Sequence, residues 1–150
     1  MVRCFLFLKR GEHVELSIGP ALLFGLIIGI YETIVIHRDV TLPIHRAGHT
    51  VHAILLSILF VFCSINAAYV LSLLPFLAKI PVLGNAIGLQ IAVGLLAAIK
   101  IHAVSKAKTA TGISGGGETW FHSILVGALV VAAPYLLLLI KPVLPKWLLF

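Results

Sequence analysis

Charge is what this sequence has least of. Five acidic and eleven basic residues make up 11% of 150, where a soluble domain carries about 25%. So few charges do not cover a water-facing surface, which excludes an ordinary soluble fold. Cysteine is nearly absent too, at two residues. Cys4 and Cys63 belong to no CxxC pattern, and nothing in their positions predicts that they meet, so a disulfide framework is excluded. Catalytic signatures are missing as well. No serine nucleophile elbow and no paired catalytic carboxylates occur, and Gly115–Gly117 lack the Lys and the preceding strand of a phosphate loop. No reaction is assigned on this evidence.

What is present is apolar length. Hydrophobic residues make up 61% of the chain, with a mean hydropathy of +1.15. The pattern predicts an all-α, polytopic membrane bundle of four helices with an interfacial C-terminal tail, one transmembrane domain over residues 1–150. The expected spans are 17–36, 49–74, 82–104 and 120–140. Pro20 sits near the start of the first span, where its missing N–H costs little. Pro75 closes the second, the residues 77–81 (LAKIP) make a turn, and Pro81 opens the third. Residues 105–119, with Gly115–Gly117, form the one long flexible loop. Pro134 marks a kink in the fourth span. Pro142 and Pro145 end it, and Lys146 and Trp147 anchor the tail at the interface. The opening MVRCFLFLKR has too short an apolar run for a signal peptide and reads as an interfacial segment.

Four spans place both termini on one side of a cell membrane. Call it side A, with the 77–81 turn; side B holds the loops at 37–48 and 105–119. Lys and Arg number six on side A (Arg3, Lys9, Arg10, Lys79, Lys141, Lys146) and five on side B (Arg38, Arg46, Lys100, Lys106, Lys108). The count leans by one residue to termini in the cytoplasm and does not decide the orientation. The partner of these scattered basic residues is the lipid bilayer. With a net charge of +6 but no basic face interleaved with aromatics, nucleic acid is excluded. Other membrane subunits are the remaining partner class.

Ionisable groups in or beside spans are costly, so each needs a reason. Of seven histidines only His13 falls on side A; His37, His45, His49, His52, His102 and His122 fall at side B with Glu32, Asp39 and Glu118. His45, His49 and His52 follow i, i+4, i+7 spacing, within about 60° of helical arc. The same stripe continues through Leu56, Leu59, Cys63 and Asn66. Gly25, Gly29 and Glu32 share that spacing, which points Glu32 into the bundle, since small residues mark close helix contacts. Gly84, Gly88, Ala92, Leu95, Ile99 and His102 form a third stripe, and Glu118 and His122 are i, i+4 neighbours.

Each helix is thus expected to offer an inward His or Glu at similar depth. Bundles build cofactor sites from such facing side chains. The first expectation is a metal- or haem-binding subunit of a membrane redox complex. His49, His52, His102 and His122 are the candidate ligands, with Glu32 and Glu118 as ligands or their partners. The donor set suits zinc, iron, manganese or copper, and His52, His102 and His122 are the candidates for b-type haem. The spacing Hx3Hx2H over 45–52 is not specific for any of these.

Two further readings stand beside it. In the first, a small proton- or cation-linked transporter or channel uses the histidines and Glu32 as a relay, although Leu56 and Leu59 make the onward path apolar. In the second, a non-catalytic scaffold binds partners through helix faces. Simple packing roles compete at single positions: His37 and His45 flank a loop, Glu32 has His52 or Arg46 as a candidate ion-pair partner, and Lys100 snorkels. GLIIG (25–29) and GNAIG (84–88) read as internal packing sites. Asn66, Asn85 and Gln90 read as interhelical hydrogen-bond glue.

Overall fold

The computed structural model describes the backbone of residues 16–39, 46–110 and 120–149, and side chains for 16–35, 50–103 and 120–149. Among the described residues the regular structure is helical throughout, without a strand. The helices are α1 (Ile18–Asp39), α2 (Arg46–Ile65), α3 (Ala67–Leu73), α4 (Ala86–Ala110) and α5 (Trp120–Ile140), with 3₁₀ turns at Leu77–Lys79 and Lys146–Leu148. Three of them (α1, α4 and α5) are long and apolar enough to cross a membrane, and four spans result if α2 and α3 count as one broken span. That composition is compatible with a membrane protein.

The second expected span is not one helix. α2 starts before His49, at Arg46, and α3 departs from it at 88° after a break at Asn66. Asn66 holds the break in place. Its side-chain amide accepts from the backbone N–H of Ser17 (2.7 Å) and donates to the carbonyls of Ser17 (3.3 Å) and Phe62 (3.1 Å). The N–H and C=O of Ser17, just before α1, are thereby satisfied from the break between α2 and α3. The third span also shifts: Pro81 does not open it. Asn85 caps α4, its Oδ1 accepting from Gly88 N–H at 2.8 Å, so Asn85 is a cap rather than interhelical glue. At its far end α4 continues to Ala110, so 105–110 are helical rather than loop; residues 111–119 lie outside the described residues, as does the N-terminal segment 1–15.

Two backbone approaches organise the bundle. A Cβ on Gly25 would stand 2.5 Å from Ile58 Cα, and one on Gly29 would stand 2.7 Å from Ile54 Cα. The glycine face of α1 is therefore its contact with α2. Between α4 and α5 the backbones meet at Gly94 and Gly127, where a Cβ on Gly127 would lie 2.5 Å from the Gly94 carbonyl oxygen. Gly84 and Gly88 instead face the carbonyls of Ala78, Ile80 and Val82 in the turn before α4. GNAIG is thus a local turn feature, not a helix–helix contact.

The buried faces of α2 and α4 are rotated from the expected stripes. On α2 the buried line is Ala53, Ser57, Val61 and Ser64, while Leu59 is exposed. On α4 Leu89, Gln90, Val93, Ala97 and Ile101 are buried, while Leu95 and Ile99 are exposed. Small residues, which allow close helix approach, take part of the interior, as at Ala53, Ser57 and Ala97.

Candidate functional site

Three of the four long helices contribute a buried titratable group. Glu32 on α1, His102 on α4 and His122 on α5 are each 7% exposed. Side chains tilt toward the N-terminus of their own helix, and Glu32 reaches back along α1 to accept a hydrogen bond from Ser57 Oγ on α2 at 3.1 Å. His122 is met from α1 by Tyr31, with ring centroids 5.5 Å apart and planes tilted by 39°. His102 lies under Trp120, the first residue of α5, at a centroid distance of 3.6 Å and an interplanar angle of 19°. Both ring nitrogens of His102 are buried without a hydrogen-bond partner among the described residues, and so is the hydroxyl of Ser123, next to His122. Unsatisfied buried donors and acceptors cost about 1–3 kcal/mol each.

His52 does not join them. It is exposed, one helical position before the buried Ala53. His52 therefore offers no inward group on α2, where Ser57 is a buried polar side chain at this end. The expected trio His52, His102 and His122 is divided between an exposed and two buried positions. Among the described residues no three or more His, Cys, Asp or Glu side chains are disposed to hold a metal ion. The side chains of His49 and Glu118 lie outside the described residues, as do those of His37, His45 and Asp39.

A second polar group lies toward the opposite end. Gln90 on α4 donates to the Ser64 carbonyl on α2 at 3.3 Å and accepts from the Tyr135 hydroxyl on α5 at 3.1 Å. Gln90 thus ties three helices together. The sequence singled out Gln90, but Ser57, Ser64, Ser123 and Tyr135 went unnoticed, because hydroxyl residues are ordinary in apolar helices and only burial distinguishes these. Between the two polar groups stands an apolar belt of Ile28, Val61, Val93, Ala97, Val126 and Val130, all in one buried cluster. Along α2 it separates Ser57 from Ser64, and along α5 it separates Ser123 from Tyr135.

Compared with family models, curated proteins and solved structures, the chain matches none.

Proposed function

We propose that this chain is a small polytopic membrane protein in which the buried Glu32, with His102 and His122 on other helices, takes up and releases protons or a small cation, as part of a proton- or cation-linked transporter or channel. The observation that supports this reading is Glu32 itself. A carboxyl group 7% exposed within a candidate span is costly in an apolar solvent and marks an ion or proton pathway by default. It is held by Ser57 on the neighbouring helix, and histidine, the side chain that titrates nearest neutral pH, occurs on α4 and α5 at the same burial. The valine-rich belt then acts as the barrier of an occluded state, so access is expected from the histidine-rich end alone.

The test is infrared difference spectroscopy of the reconstituted protein across a pH step. A protonation band that disappears in Glu32→Gln assigns proton exchange to Glu32. A spectrum with no carboxylic acid change between about pH 5 and 8, the range in which histidine changes charge, would remove this reading.

The metal- or haem-binding subunit is the second reading, and His102 is the observation in its favour. Its two buried, unpartnered nitrogens are the donor atoms that a metal takes. Further ligands would have to come from His49, His122, Glu118 or another subunit. Metal analysis and an absorption spectrum of the purified protein decide it: a stoichiometric metal or a haem Soret band supports it, and neither under mild purification dismisses it.

A further inference from the structure

The chain between Asn66 and Asn85 takes no part in the site, yet its placement is well defined. α2 has 20 residues, which at about 1.5 Å per residue spans roughly 30 Å, the thickness of a bilayer's hydrocarbon core. The helix is thus used up at Ile65, and α3 then leaves at 88°. With α2 along the membrane normal, α3 runs in the membrane plane. Asn66 gives an independent mark of depth, since its bonds to Ser17 put the break level with the start of α1, another candidate span.

The segment has two faces. Ala67 is buried, and Val70, Leu71 and Leu77 rest against the core of the bundle. Leu73, Phe76 and Val82 are 59%, 60% and 69% exposed, and Leu74, Ile80 and Lys79 are exposed with them. Water is a poor solvent for five such neighbouring apolar side chains. The hydrocarbon core is equally poor for the irregular backbone around residues 74–76 and 80–85, which lipid does not hydrogen-bond. The boundary between them suits both.

We propose that residues 67–85 form an interfacial platform seated at the acyl–headgroup boundary of the leaflet at the Asn66 end. Phe76, Leu73 and Val82 enter the upper acyl region, and Lys79 meets the phosphates. The inference rests on the membrane reading of the long helices and not on the chemistry of Glu32.

Nitroxide labels test it, placed at Phe76→Cys, Val82→Cys and, for comparison, Leu55→Cys, which is 61% exposed on α2. The full chain carries Cys4→Ser and Cys63→Ser and is reconstituted in vesicles of phosphatidylcholine and phosphatidylglycerol. Collision rates with oxygen and with a water-soluble nickel chelate report depth. If the cysteine-free background does not fold, the same labels in the native-cysteine chain, corrected for its own labelling, give the readout. The expected order is Leu55 deep, with Phe76 and Val82 shallow and still oxygen-favoured. Labels at Phe76 and Val82 as deep as Leu55 would mean a re-entrant loop and overturn the platform. Labels open to the chelate like a free nitroxide would overturn it too. A chelate-accessible Leu55 would instead overturn the membrane reading and the platform with it.

Discussion

The imidazole of His102 lies flat against the indole of Trp120, 3.6 Å between centroids and 19° from parallel. The indole is itself exposed, at 53%, so it acts as a cover, with the histidine on its inner side. α4 supplies the covered ring and the first residue of α5 the covering one. The indole covers a group whose ring nitrogens find no hydrogen-bond partner among the described residues.

Removing the cover should open His102. Stacked aromatic pairs contribute about 0.5–1.5 kcal/mol beyond their area. Trp120→Ala is therefore expected to raise the rate of His102 carbethoxylation by diethyl pyrocarbonate about fivefold, read by mass spectrometry. Trp120→Phe should stay near the wild-type rate.

Ser57 donates to Glu32, and removing the donor leaves a buried carboxyl group with one fewer bond. Interhelical hydrogen bonds in membranes average about 0.6 kcal/mol and reach about 1.7. Ser57→Ala should thus cost roughly 1 kcal/mol in a mixed-micelle unfolding titration. Ser72→Ala should be silent, since that hydroxyl is exposed and bonds only to the Tyr69 carbonyl of its own helix.

Close approach makes Gly29 intolerant. A Cβ there would meet Ile54 Cα at 2.7 Å, a backbone atom that moves only with its helix. Gly29→Ala is expected to destabilise by about 1–3 kcal/mol through overpacking. Leu95→Ala, at a position exposed on α4, should change stability by less than about 0.5 kcal/mol. The reverse ranking in the same titration would contradict the observed helix faces.

Asn66 joins the α2–α3 break to the start of α1 through two bonds to Ser17. Asn66→Ala should cost roughly 1 kcal/mol and speed amide exchange in the first turn of α1. The Gly94–Gly127 contact should keep its protection.

How much of this was legible in the sequence varies by element. α5 was, because no Asp, Glu, Lys or Arg falls between Trp120 and Lys141. The break at Asn66 was not. No Pro or Gly stands there, and a lone Asn inside a long apolar run looks like a mid-span residue. Counting from Arg46 rather than His49 moves it to the end of α2. The faces of α2 and α4 were misread because the spacing of His45, His49 and His52 drew one stripe and that of Gly84, Gly88 and His102 the other, whereas the small residues Ala53, Ser57, Gly94 and Ala97 take the interior. Glu32 was legible as inward-facing because it shares a face with Gly25 and Gly29, which meet α2. His52 falls on the histidine-drawn stripe, and the structure leaves it exposed.

The central claim is that Glu32 exchanges protons or a cation from the histidine-rich end. The most direct measurement is flux into vesicles loaded with a pH-sensitive dye, comparing wild type, Glu32→Gln and protein-free vesicles under an imposed pH gradient, with and without sodium or potassium. Wild-type flux well above the protein-free rate, and a fall of at least about tenfold in Glu32→Gln, is expected; that factor corresponds to about 1.4 kcal/mol. Equal flux in wild type and Glu32→Gln, or none above the protein-free rate, would contradict it.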